Sequence, residues 1–232
     1  MSLPPFDHSV HAKFTEPPNP SWSFAQKIEN TESGRKWLEG EERGRLYPLM
    51  TSAIVPGPIA SVSSVSTTGV KNLAPFRFVI VSPVTNNPPL VPFCCRNVPQ
   101  VKDTPTNVRN GLGFTVNIIS EPFVENANIH VKAPLVKESA FSMECELFQA
   151  IDITHPVSGQ ITTTTILAHI KYIHVRNDVL NERGVVDITK YKPIARLGDI
   201  SYGRVGDVFR LARPVWDREK ERIESVLENG ED

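Results

Sequence analysis

Two long β-patterned runs, 141–153 and 161–175, dominate the middle of the chain, on either side of Pro156-Val157-Ser158-Gly159. The second is rich in Ile, Val and Thr, whose branched Cβ fits a pleated strand better than a helix. Four threonines, two histidines and a lysine also keep it well short of the roughly 18 to 20 apolar residues of a spanning helix. Adjacent long strands joined by about seven residues pair most simply as an antiparallel hairpin.

Shorter elements precede it. Ile59-Ala60-Ser61-Val62-Ser63-Ser64-Val65-Ser66 alternates small or apolar residues with hydroxyls, Thr67-Thr68-Gly69 supplies turn chemistry, and 70–81 returns as a second strand. This predicts a hairpin with one polar face. Asn86-Asn87-Pro88-Pro89 makes the next turn and 90–95 a third strand. Thr104-Pro105 opens a short helix, with a hydroxyl cap before proline, and Gly111 closes it. A fourth strand follows at 114–119, a helical stretch at 121–126 and a final strand at 205–211. From Pro214, Trp216, Ile223, Val226 and Leu227 recur at helical spacing among charged residues. Many strands at short intervals with few, short helices predict a mainly β fold, a closed or nearly closed antiparallel barrel. No internal repeat, Gly-x-Gly-x-x-Gly, Walker loop or Gly-x-Ser-x-Gly is present, which argues against solenoid, Rossmann, P-loop and α/β-hydrolase architectures.

A length of 232 residues suits one barrel with irregular ends. Residues 1–46 read as an N-terminal arm or strap, 47–214 as the barrel domain and 215–232 as a C-terminal helix and tail. The arm combines Pro17-Pro18-Asn19-Pro20, the aromatics Phe14, Trp22 and Phe24 and a short polar helix near 31–38. It either straps across the barrel or a partner subunit, or stays mobile.

Composition excludes other classes. With 25 basic against 26 acidic side chains, the net charge of −1 leaves no general excess to neutralise nucleic-acid phosphates. Pro4, Pro5, Asp7 and two histidines stand where a secretory signal needs a basic start and an apolar core, so a cytoplasmic chain without a membrane partner is expected. The three cysteines include no Cys-x-x-Cys pair, and Cys94 and Cys95, as strand neighbours, point to opposite faces. His169 and His174, five apart on a strand, are likewise expected on opposite faces, and no metal site is predicted.

Two segments carry more than scaffolding requires. In Ser61 through Phe76 a hydroxyl-rich strand returns as Asn72-Leu73-Ala74-Pro75-Phe76, and a proline there places the backbone at an edge or bulge, open to a ligand. Lys102-Asp103-Thr104 begins a helix, where free N–H groups, a lysine and a hydroxyl suit a phosphate, each favourable charge contributing about 0.3 to 1 kcal/mol. An ordinary hairpin and an Asx or hydroxyl cap account for the same residues without a ligand.

Taken together, Tyr47-Pro48-Leu49, Ile54-Val55-Pro56-x-Pro58-Ile59-Ala60, Val62-Ser63 and Gly69-Val70-x-Asn72-Leu73-Ala74-Pro75-Phe76 resemble the flavin reductase-like family with the FMN-binding split barrel. Asn87-Pro88-Pro89-Leu90-Val91, Lys102-Asp103-Thr104 with Asn107, Val116-Asn117-Ile118, Glu144-Cys145-Glu146, Ile173-His174-Val175 and Tyr191-x-Pro193-x-Ala195-Arg196-Leu197-Gly198 with Tyr202 continue the likeness to Pro214. The resemblance implies a homodimer with FMN at the subunit interface and a flavoprotein oxidoreductase. Such an enzyme passes reducing equivalents from NADH or NADPH through flavin to a small-molecule or flavin acceptor. It further implies that Ser61, Ser63, Asn72, Leu73, Ala74, Pro75 and Phe76 cradle the flavin and that Lys102, Asp103 and Thr104 hold its phosphate end. No catalytic acid or nucleophile is required, because the flavin carries the redox chemistry. His174 and Tyr202 either line the substrate side or pack.

Four departures stand against the family pattern. Gly57 replaces an arginine, Arg77 replaces a serine, and the connections at 126–134 and 44–46 are shortened. They motivate an alternative: a degenerate split barrel that dimerises or binds a partner without redox turnover.

Overall fold

A computed structural model describes residues 4–18, 20–21, 53, 56–77, 85–122, 136–197, 201–211, 220–221 and 224–225. Its strands are β1 (Gly57–Val65), β2 (Lys71–Arg77), β3 (Thr85–Asn86), β4 (Pro89–Arg96), β5 (Phe114–Ile118), β6 (Phe141–Thr154), β7 (Ile161–Val175), β8 (Ile194–Arg196) and β9 (Tyr202–Arg204). Among the described residues the short α-helices α1 (Asp103–Arg109) and α2 (Ile188–Tyr191) accompany them. All nine strands join one antiparallel sheet in the order β3-β4-β7-β6-β5-β1-β8-β9, with β2 paired to β1. The fold is the mainly β split barrel that the sequence predicts.

The β1–β2 hairpin forms where turn chemistry demands it. Gly69, at φ +80°, donates its N–H to the Ser66 carbonyl at 2.9 Å, and the Ser66 N–H reaches the Val70 carbonyl at 2.8 Å. That is a three-residue loop with glycine in the left-handed position. Counting pairs from this closure, Pro75 falls opposite Ser61 at a non-hydrogen-bonded position, its ring nitrogen turned away from β1. Among the described residues β2 has no partner strand on that far side, so the proline sits at an edge, in a ladder without a bulge.

The sheet curls without closing its ladder. Phe76 on β2 and Phe93 on β4 meet across the gap with ring centroids 5.3 Å apart, and Phe114 packs edge-on to Phe93 at 6.0 Å. Val62, Phe93, Val116 and Ile166 are fully buried in this interior, each contributing about 1.5 to 3 kcal/mol of burial. On the outer face Ile59, Leu73, Ile119, Val136 and Ile194 form a second, smaller core with Tyr202 packed against it.

β6 and β7 form the predicted long hairpin, with one consequence that sequence spacing misses. Glu144 opposes Tyr172 while Glu146 opposes His169, so β7 carries an extra residue, Lys171, between those pairs. His174 opposes Ser142, and Ser142, Glu144 and Glu146 alternate along one face of β6. The bulge therefore brings His169 and His174 to the same face, correcting the opposite-face expectation, because an inserted residue resets the two-residue period.

Two further corrections follow. Thr104 does not cap α1: the cap residue is Lys102, with no side-chain cap hydrogen bond, and Thr104 lies inside the helix. The final strand expected at 205–211 is absent; Val208 alone forms an isolated parallel bridge, to Phe14, and the sheet ends instead with β8 and β9. Three-residue strands such as these carry too little alternation to show in sequence.

Met1–Glu42 with Gly206–Asp232 form one unit and Arg43–Val205 the other. In the first, the bridge is fixed by Thr15 N–H to Val208 carbonyl at 2.7 Å and Val208 N–H to Lys13 carbonyl at 2.8 Å. Arg210 adds a guanidinium 5.1 Å from the Phe14 ring centroid. Lys220, Glu221, Glu224 and Ser225 are helical. The helix predicted near 31–38, the end of the second strand at 78–81, residues 123–126 and the two shortened connections lie outside the described residues.

Candidate functional site

Strand alternation divides the hairpin candidates between two faces. Ala74 and Phe76 point into the barrel, as does Asn72, which pairs with Ser64 two positions beyond Val62. Ser61, Ser63, Leu73 and Pro75 share the opposite, outer face. Leu73 belongs there to the second core, and Ser61 and Ser63 are buried at its border.

Polar contacts dock α1 on the inner side. The Asn72 side-chain amide donates to the Thr104 hydroxyl at 3.0 Å and the Asn107 amide to the Ser64 hydroxyl at 3.1 Å. Val108 enters the barrel core. Lys102 is exposed, with its ammonium 5.4 Å from the centroid of the Phe76 ring. Asp103, in the first turn, already complements the helix dipole. Of Lys102, Asp103 and Thr104, then, Lys102 carries the exposed positive charge and Thr104 is wholly buried on Asn72.

A polar row crosses the outer face. Ser61, Asn117 and Ser142 are directly opposed on β1, β5 and β6, with Pro75 beyond Ser61 and His174 beyond Ser142. Asn117 donates to the Ser61 carbonyl and the Thr115 hydroxyl, both at 3.0 Å, and accepts from the Val136 N–H at 3.3 Å. Among the described residues the hydroxyls of Ser61 and Ser142 are buried without a hydrogen-bond partner. A buried hydroxyl left unpaired costs roughly 1 to 3 kcal/mol, so each marks a place suited to a further polar group.

The neighbouring row, Ser63, Thr115, Glu144 and Tyr172, floors a groove of about 290 Å³ between residues 63–65, 112–115, 144–146 and 171–172. Of the sequence candidates only Ser63 lines it. Glu144 Oε1 and His174 Nε2 are in hydrogen-bond contact at 2.6 Å, and Glu146 lies 3.4 Å from Lys171. Sequence reading missed Lys171 and Tyr172 because no local signal announces the bulge that presents them. Tyr202, expected either to line the substrate side or to pack, is packed against the second core and stacked beneath Arg196, 4.7 Å from guanidinium to ring. Gly57 is buried and opposes Arg196 across the β1–β8 ladder.

Among the described residues no helix is long and apolar enough to cross a membrane. No family model matches the chain. An uncharacterized protein of Aquifex aeolicus (strain VF5) is 32% identical over 184 residues, 68% of this chain and 88% of that relative. The solved structure of nitrilotriacetate monooxygenase component B from Bacillus cereus is 26% identical with a TM-score of 0.69, covering 77% of this chain and 100% of that one. Flavoredoxin of Desulfovibrio vulgaris (Miyazaki F) shares the fold at a TM-score of 0.52 and 21% identity, over 68% of this chain and 90% of its own.

Proposed function

Because the chain belongs to the flavin reductase-like family of split-barrel proteins, we propose that it is an FMN-binding oxidoreductase. In this reading it passes reducing equivalents from NADH or NADPH to a small-molecule or flavin acceptor, as a cytoplasmic homodimer with the flavin at the subunit interface. The observation that carries the reading is the Ser61 hydroxyl, buried and, among the described residues, unpartnered on the face it shares with Ser63, Leu73 and Pro75. A polar ring edge supplies the missing partner there, and the half-buried Pro75 supplies apolar cover, backed by Leu73 in the second core.

Bound flavin supplies the hydride and electron transfer itself. Around it the chain's residues position and neutralise. Ser61 and Ser63 hold the ring edge, Lys102 offsets the phosphate charge, and Ala74 and Phe76 keep β2 seated on the barrel so that its open edge stays available. Asn72 and Thr104 act by fixing α1, and Asp103 by supporting the start of that helix.

A second reading, a split barrel that binds without redox turnover, is favoured by the commitment of Asn72 and Thr104 to each other and by Gly57 at the position of a family arginine. An absorption titration decides between them. Purified protein should bind FMN at micromolar affinity, about 8 kcal/mol, and bleach on anaerobic addition of NADH or NADPH. A chain that leaves FMN fluorescence unquenched at high micromolar concentration loses the redox assignment, and quenching by FAD alone replaces the cofactor.

A further inference from the structure

The groove beyond Ser63 has a chemistry opposite to that of a phosphate site. Its charged lining consists of two carboxylates, Glu144 and Glu146, against one ammonium, Lys171. Glu146 forms an ion pair with Lys171 and Glu144 a hydrogen bond with His174, and the four side chains are 41% to 61% exposed. Exposed pairs of this kind are weak and easily exchanged, so neither carboxylate is withdrawn from an incoming cation.

The remaining lining selects for shape. Tyr172 directly opposes Glu144 across β6 and β7 and is 67% exposed, so an aromatic ring stands beside a carboxylate within one cavity. Val65 and Leu112 add apolar wall. A delocalised cation gains on all three counts: its face against the ring, its hydrocarbon part against Val65 and Leu112, its charge toward the glutamates. An anion of the same shape meets a net negative lining.

We propose that this groove is a binding site for a small planar organic cation, such as an aromatic amidinium or a positively charged ring nitrogen. The site depends on the Lys171 bulge, which sets Tyr172 on the carboxylate face. Its recognition groups, Glu144, Glu146 and Tyr172, are distinct from the residues assigned to FMN, and the two sites meet only at Ser63.

Three isosteric probes test it on the full chain without flavin, by ligand-detected NMR or calorimetry: benzamidine, benzamide and benzoate. Benzamidine should bind in the millimolar range, about tenfold tighter than benzamide, the scale of one cation–π contact in a partly desolvated site, and benzoate should not bind. Glu144→Gln combined with Glu146→Gln should cut that preference several-fold, leaving only the share due to the Tyr172 ring. Lys171→Met should strengthen benzamidine instead, by removing the competing ammonium, which separates site chemistry from loss of folding. Benzoate binding as well as benzamidine, absence of benzamidine binding, or an unchanged preference in the glutamine variant would each overturn the proposal. The outcome leaves the FMN titration untouched, so the two readings fail separately.

Discussion

The side-chain amide of Asn72 on β2 donates to the hydroxyl of Thr104 on α1 at 3.0 Å, joining the edge strand of the barrel to its short helix. This contact converts two residues that resemble flavin ligands into the joint that fixes α1, and Lys102 immediately before it.

Breaking that joint should be felt through stability first. Asn72→Ala leaves the buried Thr104 hydroxyl without its donor, and Thr104→Val removes the acceptor, each at about 1 to 2 kcal/mol. A double-mutant cycle in urea should return a coupling of about 0.5 to 1.5 kcal/mol, and additive losses would show that the two side chains act separately.

Ser61→Ala should move two quantities in opposite directions. Removing an unpaired buried hydroxyl relieves a desolvation cost, so the flavin-free protein should gain up to about 1 kcal/mol in urea denaturation. FMN affinity should fall several-fold in the same variant. A loss of stability would mean that the hydroxyl has a partner within the protein, and unchanged FMN affinity would remove Ser61 from the flavin contacts.

The Asp152 carboxylate is held below the usual carboxylate range, first by the Thr164 hydroxyl at 2.7 Å and then by Arg109 at 2.6 Å. Asn97 completes the chain by donating to Thr164 at 2.8 Å. A depressed carboxylate contributes stability that is present above its unfolded value, about 3.9, and is lost as pH falls through the folded value. Asp152→Asn should therefore lower the urea midpoint at pH 7 and approach wild type below about pH 4. A deficit independent of pH would mean that packing of the β6–β7 hairpin, not ionisation, is responsible.

Burial pushes the thiols of Cys95 and Cys145 up to about 12. Since the thiolate is the reactive form, a disulfide reagent at pH 8 should modify neither in the folded protein. Cys94, half-buried on the other face of β4, is the accessible thiol. One equivalent should react in buffer and three in denaturant; rapid reaction of all three in buffer would indicate that the barrel interior opens readily.

Elements whose cause is local were legible in the sequence. The β1–β2 loop follows from a glycine able to adopt positive φ, the β6–β7 hairpin from two runs of β-branched residues around a short turn, and the edge position of β2 from Pro75. The candidate site was only half legible. Alternation assigns Ser61 and Ser63 to one face and Asn72 to the other, yet nothing within β1 or β2 says that α1, some thirty residues later, takes up Asn72 through Thr104.

By itself, then, the sequence determined the mainly β class, the strand pairs joined by tight turns and the two segments around which a site is built, because each depends on neighbours a few residues away. Tertiary structure alone decided what packs against each of those faces. Thr104 left the cap for a buried amide, 205–211 gave way to β8 and β9 as the sheet's last strands, and Lys171 bulged to carry His169, Tyr172 and His174 onto the carboxylate face. The reason is physical: a bulge and a buried hydrogen bond are settled by the partner that packs opposite, and that partner lies far along the chain.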